Sequence, residues 1–214
     1  MAYFSCNNLT TAVCGPNVID MRYTYYDCDN LTTAACGPNV IYMSYAYEHC
    51  TNLKTAACGP NVENMYSTYS GCYKLTGSPV CGPNVTNMAS TYNNCQNLTG
   101  SPVCGNNVIN MVAAYQYCSN LTGSPVCGNN VVNMYDTYSG CYKLTGSPAC
   151  GPNVVDMAYT YFNCQNLTGA PVCGPNVTNM YCTYYDCKNL CGDMYILSNS
   201  ITTMEKCFLN RYTN

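Results

Sequence analysis

One pattern of residues recurs about nine times along the chain, and this repetition restricts the fold more than any other feature. A typical copy runs from Asn84 to Cys104 and reads NVTNMASTYNNCQNLTGSPVC. Its fixed letters are a valine, a methionine three residues later, Thr-Tyr, a cysteine, a leucine and a second cysteine. Self-similarity at a period of 22–23 residues is typical of a solenoid, in which each repeat is one coil that buries its apolar face against its neighbours.

The fixed apolar residues are predicted to stack into ladders along a continuous core. The valines are Val18, Val40, Val62, Val85, Val108, Val131, Val154 and Val177, with Ile201 as a degenerate ninth. The methionines are Met21, Met43, Met65, Met88, Met111, Met134, Met157, Met180 and Met204. The leucines are Leu9, Leu31, Leu53, Leu75, Leu98, Leu121, Leu144, Leu167 and Leu190.

Each coil is predicted to contain a short strand and a helical turn. The segment VxxMxxTYxxC spaces its apolar residues at i, i+3, i+7 and i+10, which is the stripe of a short helix facing a core. The strand follows the leucine; from Leu75 onward it gains one residue and reads LTGSPV or a close variant, where Gly and Pro predict a bulge or kink. The sequence thus predicts an α/β repeat solenoid of leucine-rich-repeat-like coils, 22–23 residues each, with a stacked parallel sheet.

The solenoid is predicted to span residues 1–190, and a degenerate C-terminal capping repeat to span 191–214. Tyr3 precedes Cys6 by three residues, as in the later repeats, so the sequence begins in mid-repeat. We therefore expect either a fragment of a longer chain or an open end that another chain covers. After Cys187 the pattern decays, with ITTMEKCF in place of VTNMASTY, which is typical of a capping unit.

The repeat resembles the BspA-like class of leucine-rich repeats, whose usual wording is LTxIxIPxxVTxIxxxAFxxC. Residues 9–28, LTTAVCGPNVIDMRYTYYDC, follow that wording with Tyr25 in the place of Phe, Thr24 of Ala, Cys14 of the second strand Ile and Gly15 of Pro. The likeness extends over almost the whole chain, although the later repeats carry one inserted residue in the strand. Members of that family occur on bacterial and protozoan cell surfaces, and similar Tyr- and Asn-rich arrays occur in phage tail proteins. The resemblance implies a non-catalytic array that binds host or matrix components.

Cysteine accounts for 20 of the 214 residues, and most of it falls into two further ladders. The first ladder is Cys6, Cys28, Cys50, Cys72, Cys95, Cys118, Cys141, Cys164 and Cys187; the second is Cys14, Cys36, Cys58, Cys81, Cys104, Cys127, Cys150 and Cys173. Buried free thiols and disulfides between the ladders, such as Cys28 to Cys36, are both open alternatives. Cys182 and Cys191 lie outside the ladders and are the candidate disulfide. No metal is expected, because there is no CxxC spacing.

Composition excludes several classes of function. Charged residues make up 8% of the chain and the net charge is −3, so we expect no nucleic-acid partner. No apolar run is long enough to span a membrane, and no signal peptide opens the sequence. The only histidine is His49, and the acidic residues recur in no fixed pair, so we expect no enzyme activity and no cofactor.

The positions that vary between repeats are the candidate ligand-binding surface. Tyr interspersed with Ser, Asn and Asp is the composition of a binding surface, because Tyr offers large amphipathic area with few rotatable bonds. The candidate residues are Tyr23, Tyr26, Tyr45, Tyr66, Tyr73, Tyr117, Tyr135, Tyr142, Tyr159, Tyr181 and Tyr185. The predicted partner is a protein or glycan receptor.

Three functions from different classes remain open at this stage. The first is recognition or adhesion on a cell surface or virion, which predicts an extracellular location. The second is a structural filament, in which similar coils associate end to end. The third is ice binding by the Thr and Val rows of the strand face, although Lys54 interrupts the Thr row.

Overall fold

The computed structural model describes residues 3–209, and in it each repeat forms one coil that lies against the next. Isolated parallel bridges join equivalent residues of successive coils, for example Asn64 to Asn87 and Asn87 to Asn110. The only strands of two or more residues in this range are β1 (Val172–Cys173) and β2 (Tyr195–Ile196). They pair in parallel, with Val172 opposite Tyr195. Turns and bends form most of the rest.

The predicted helical turn is wrong, because residues 3–209 contain no α-helix. In the segment from Met88 to Cys95, alternate amides donate to the following coil: Met88 to the carbonyl of Asn110 at 2.9 Å and Tyr92 to that of Ala114 at 2.9 Å. A helix would direct these N–H groups to the carbonyl four residues earlier in the same segment. Hydrogen bonds to the following coil therefore stabilise this segment, in place of hydrogen bonds within a helix.

Left-handed residues explain how a helix-like spacing arises without a helix. Ser90 and Asn94 have φ of 53° and 61°, values that end a right-handed helical path. Each lies in a tight turn closed by an i→i+3 bond, Thr91 to Met88 at 3.0 Å and Cys95 to Tyr92 at 3.0 Å. The turns bring the chain back to the core every three or four residues, which reproduces the apolar spacing of a helix.

The predicted stacked parallel sheet is also wrong, since residues 3–209 hold one pair of two-residue strands and isolated bridges. In the segment from Leu98 to Cys104, Gly100 has φ of 79° and Pro102 has no amide N–H to donate. This segment therefore cannot form the regular backbone hydrogen bonds of a sheet. The backbone of Val103 points into the coil instead, and its N–H and C=O both bond the hydroxyl of Tyr115, at 3.1 and 2.7 Å. The fold is therefore not the predicted α/β solenoid.

The core contains the ladders that the sequence predicted. In the middle coils the Val, Met, Tyr, Leu and first-ladder Cys side chains have no solvent exposure. The tyrosine rings are stacked, with Tyr92 to Tyr115 at 5.6 Å and 8° and Tyr115 to Tyr138 at 5.6 Å and 1°. Such contacts give aromatic packing in addition to the burial of apolar surface.

Polar ladders hold the coils in register. The buried hydroxyl of Thr91 donates to Met65 in the preceding coil at 2.8 Å, and the thiol of Cys95 donates to the Tyr69 carbonyl at 3.0 Å. On the outside, the Asn84 amide donates to the Pro60 carbonyl at 3.0 Å. No buried side-chain nitrogen or oxygen in residues 3–209 lacks a hydrogen-bond partner. Each coil is thus fixed by specific bonds to its neighbours.

Past Cys187 the repeat is irregular, in the segment predicted to be a cap. Strand β2 lies on β1, while Ile201 and Met204 are half-buried against the core. The predicted boundary at residue 190 is not tested by these contacts, and residues 210–214 of the predicted cap lie outside the described range. No helix in residues 3–209 is long and apolar enough to cross a membrane.

Candidate functional site

The outer side of the segment between each ladder Met and the next first-ladder Cys carries most of the candidate tyrosines; we call it the aromatic face. Its ladder residues and the Thr before each ladder Tyr point inward, and the larger side chains at the remaining positions reach the surface. In the first full coil these are Arg22 and Tyr23 after Met21, and Tyr26 and Asp27 after Tyr25. The varying residues of the repeat therefore lie together on one side of the stack.

Backbone conformation helps to display the rings. Tyr23, Tyr45 and Tyr159 have φ of 57°, 60° and 57°, a left-handed conformation that residues with a Cβ rarely adopt. Each residue is the second after a ladder Met, and its amide is bonded to the next coil, as Tyr45 is to the Tyr66 carbonyl at 2.9 Å. The stack therefore maintains a backbone conformation that turns these side chains outward.

Four of the predicted residues form one cluster, the N-terminal aromatic cluster: Tyr23, Tyr26, Tyr45 and Tyr66. The Tyr23 and Tyr45 rings stack at 4.5 Å and 10°, and Tyr45 meets Tyr66 edge to face at 5.1 Å. Tyr26 approaches Tyr23 at 6.0 Å. Tyr23 remains 44% exposed, so the cluster presents an accessible aromatic surface.

A second group, the C-terminal aromatic cluster, comprises Tyr135, Tyr159, Phe162, Tyr181 and Tyr185. Tyr159 is central: its ring lies 5.8 Å from Tyr135, 5.3 Å from Tyr181 and 5.7 Å from Phe162. Phe162 stacks on Tyr185 at 4.7 Å and 17°. The structure thus divides eight of the predicted tyrosines between two clusters, and it adds Phe162 to the second.

Small residues separate the two clusters. The positions that hold Tyr23 and Tyr45 in the first coils hold Ser67, Ser90 and Ala113 in the middle coils. The backbone is equivalent there, with φ of 50°, 53° and 51°. At this position the aromatic face therefore carries short side chains in the middle coils and aromatic rings toward the two ends.

The central phenol of each cluster, Tyr45 or Tyr159, has a raised pKa. Desolvation and a hydrogen bond with Tyr181 raise the pKa of Tyr159 to about 12. Desolvation, followed by the hydroxyl of Tyr66, also raises the pKa of Tyr45. These side chains are therefore neutral donors and acceptors that flank apolar ring faces, a combination that suits sugars and polar protein surfaces.

Charge is sparse on this face and mostly paired. The Arg22 guanidinium bonds Asp20 at 2.6 Å and lies 5.3 Å from the centre of the Tyr42 ring. The Lys206 ammonium lies 5.9 Å from the Tyr181 ring and 3.4 Å from Glu205. Within residues 3–209 no group of three or more His, Cys, Asp or Glu residues has a metal-binding arrangement.

The other three predicted tyrosines, Tyr73, Tyr117 and Tyr142, belong to neither cluster. They lie beside the first Cys ladder and are exposed by 41%, 48% and 42%. His49, interpreted from the sequence as a solvated side chain, lies 5.9 Å from Tyr26 and so borders the N-terminal cluster. Its position in the repeat could have indicated this location, because His49 stands directly before a first-ladder Cys, as Tyr117 does three coils later.

All twenty cysteines are free thiols in the structure, including Cys28 and Cys36. Of the candidate disulfide pair, Cys182 is buried and Cys191 is exposed. Desolvation raises the pKa of Cys182, which favours its protonated form. The two thiols are thus in different environments: Cys182 lies in the segment of the aromatic face, two residues after Met180, and Cys191 lies outside that segment.

On the strand side, the Thr row makes bonds within the protein. The Thr32 hydroxyl donates to the Thr10 carbonyl at 3.0 Å, and that of Thr122 donates to Gly100 at 3.3 Å. These hydroxyls link successive coils, so their hydrogen atoms are not directed toward a ligand.

The chain was compared with protein-family models, curated proteins and solved structures. No protein-family model, curated protein or solved structure matches the chain.

Proposed function

We propose that the protein is a non-catalytic recognition module that binds a glycan or protein receptor through the aromatic face. The observation that supports this proposal is the pair of aromatic clusters on an otherwise uniform stack. The proposal includes an extracellular, cell-surface or virion location, in line with the BspA-like resemblance of the repeat.

The contrast between core and face supports a binding role. The core tyrosines, such as Tyr92, are present in every full coil and have their hydroxyls bonded to backbone. The face tyrosines occur only in particular coils and retain exposed ring surface, as Tyr23 and Tyr135 do. Stability requires the first set and does not require the second, because Ser and Ala occupy the same positions in the middle coils.

For a test of this proposal, each face tyrosine can be replaced by the residue that another coil has at the same position. Tyr23→Ser and Tyr45→Ser introduce the residue found at Ser67, and Tyr66→Ala introduces the one found at Ala89. The purified chain is first screened against arrays of neutral glycans, acidic glycans and matrix proteins. The affinity of a ligand found there is then measured for the wild type and the triple variant by biolayer interferometry.

We expect the triple variant to bind at least about tenfold more weakly, since aromatic anchors dominate interface energies. The matched control is Tyr195→Ser, which removes a 72% exposed tyrosine from β2, outside the aromatic face. Circular dichroism and urea unfolding establish that all variants fold. Failure to bind any array component, or equal binding by wild type and triple variant, would contradict the proposal.

A second candidate function, self-association into a filament, is favoured by one observation at β2. In residues 3–209 this strand pairs only with β1; its Ile196 is 50% exposed, and Leu197, which follows the strand directly, is 67% exposed. An open strand edge with apolar side chains is a template for further pairing. Electron microscopy at several protein concentrations tests this function: filaments lost in Ile196→Lys would support it, and dispersed short particles of wild type would rule it out.

A further inference from the structure

Two two-coil segments of the chain are close copies of each other, and both carry the same unusual corner. Residues 65–111 and 134–180 differ at nine positions only: 67, 80, 86, 87, 90, 93, 101, 106 and 109 in the numbering of the first segment. Each copy contains the sequence TYSGCYKLTGSP, at 68–79 and 137–148. Elsewhere in the repeats, the positions of Tyr73 and Lys74 hold polar residues such as Gln96 and Asn97.

The corner is a tight turn with Tyr and Lys as its central residues. The Leu75 amide donates to the Cys72 carbonyl at 3.0 Å, so Tyr73 and Lys74 are presented to solvent. In the second copy Leu144 donates to Cys141 at 3.1 Å, which closes the same turn. We call these turns the first and second Tyr-Lys corners (Tyr73-Lys74 and Tyr142-Lys143).

Glycine next to each corner makes room for a second aromatic ring. A Cβ on Gly71 would lie 2.6 Å from Cδ2 of His49, and one on Gly140 would lie 2.6 Å from Cδ1 of Tyr117. Both glycines also have φ of 73°. An exposed ring from the preceding coil thus lies over each glycine, one residue away from the first-ladder cysteine that starts the turn.

Each corner also carries a lysine whose ammonium group has no carboxylate partner in the described part of the chain. The Lys74 ammonium donates to the side-chain carbonyl of Asn52 at 2.6 Å, and that of Lys143 donates to Asn120 at 2.7 Å. Neither takes part in a salt bridge within residues 3–209. Each bond directs the ammonium to the equivalent residue of the preceding coil and leaves its charge without a carboxylate partner.

We propose that the two Tyr-Lys corners are paired subsites for an acidic polysaccharide. Each subsite offers aromatic rings for the apolar faces of sugars, amides for their hydroxyls and one ammonium for a carboxylate or sulfate. The inference rests on the proposed function and specifies its ligand class.

Spacing and charge both favour a polymer with regularly placed acidic sugars. The corners are three coils apart, and with about 4.8 Å per coil their separation is about 14 Å. Two equivalent sites at a fixed distance act together on a repeating ligand, which increases the apparent affinity. With a net charge of −3 the protein has no general attraction for polyanions, so recognition depends on these local cations.

The test uses Lys74→Asn and Lys143→Asn, singly and together, because Asn97 and Asn120 show that this ladder position accepts Asn. The control is Lys54→Thr, which removes another exposed lysine without a salt bridge and introduces the residue found at Thr32. Binding to polyuronate, to sulfated polysaccharide and to an uncharged polysaccharide is measured by isothermal titration calorimetry at low and high salt.

For the acidic polymers we expect each single variant to lose about tenfold in apparent affinity and the double variant to lose about a hundredfold. High salt should weaken wild-type binding, while Lys54→Thr should bind as wild type does. Acidic-polymer binding that the double variant retains would overturn the inference. Binding of uncharged glycan or protein alone, lost in the Tyr23, Tyr45 and Tyr66 variant, would also overturn it while upholding the proposed function.

Discussion

The hydroxyl of Tyr92 bonds both backbone polar groups of Val80, lying 2.9 Å from the amide nitrogen and 2.7 Å from the carbonyl oxygen. Val80 is twelve residues earlier, on the opposite wall of the same coil. The same double bond recurs between Tyr115 and Val103 and between Tyr138 and Val126. The tyrosine ladder therefore fixes the width of each coil as well as the stacking between coils.

Removing this hydroxyl should destabilise the protein. In Tyr92→Phe the ring still stacks, but the N–H and C=O of Val80 lose their partner inside the coil. An unpaired buried backbone group costs about 1–3 kcal/mol, so we expect a loss of this size in the free energy of urea unfolding. The matched control is Tyr73→Phe on the surface, for which we expect a change within about 0.5 kcal/mol. Equal stability of Tyr92→Phe and wild type would refute the role assigned to the hydroxyl.

The identity of the core could be predicted from the sequence, whereas the path of the backbone could not. Val85, Met88, Tyr92 and Leu98 are all buried, as their periodicity indicates. A spacing of three and four residues between apolar side chains indicates which of them point inward. Both a helix and a series of tight turns produce this spacing. Ser90 decides between them through its left-handed φ, and serine carries no clear sequence signal for that conformation.

For the candidate site, too, the residues could be predicted from the sequence, whereas the contacts between them could not. Variation between repeats located the surface tyrosines, because outward positions are free of the core constraint. It did not show that Tyr159 contacts Tyr135, Tyr181 and Phe162, since those contacts depend on the order in which coils stack. Nor did it identify the rings of His49 and Tyr117 beside the Tyr-Lys corners, because their placement depends on the close approach of Gly71 and Gly140 to the preceding coil.

A glycine in the turn that follows the second Cys ladder should tolerate no side chain. A Cβ on Gly82 would lie 2.9 Å from the Gly59 carbonyl oxygen and 3.0 Å from the Cys58 sulfur, so Gly82→Ala forces adjacent coils apart. We expect a loss of about 1–3 kcal/mol in unfolding free energy, the usual cost of overpacking. Gly15→Ala in the first coil is the control, because among residues 3–209 the only atom within 4 Å of its Cβ position is Cγ2 of Val18, at 3.9 Å. Equal losses in the two variants would show that coil contact is not the cause.

Stability should fall in alkaline solution because of the buried thiols. Burial raises the pKa of Cys81 and Cys150 to about 11 and that of Cys50 and Cys58 to about 12. In the unfolded chain a thiol ionises near pH ~8.5, so the native state holds more protons above that pH. The stabilisation is complete below ~8.5 and declines as pH rises toward about 12.

The measurement is the urea midpoint at pH 7.0 and 9.5 in the presence of a reductant. The upper pH lies below ~10, the ordinary pKa of tyrosine, so the change reports chiefly on cysteine. We expect a clearly lower midpoint at the higher pH, with a larger effect than one thiol could produce. An unchanged midpoint would mean that the ladder thiols ionise as readily in the folded chain as in the unfolded one.

Thiol labelling should distinguish Cys191 from the buried thiols of the first Cys ladder. Cys191 is exposed, whereas Cys95, Cys118 and Cys141 have no solvent exposure, and desolvation raises the pKa of each of these three. Reaction requires an accessible thiolate, so in a disulfide-exchange assay we expect a fast phase from Cys191 and slow reaction of the buried ladder until unfolding. Cys191→Ser should abolish the fast phase and leave the slow one unchanged. The same assay tests the Cys182–Cys191 disulfide: the free thiols predict a fast phase without reductant, whereas a phase that appears only after reduction would indicate that the two residues are paired.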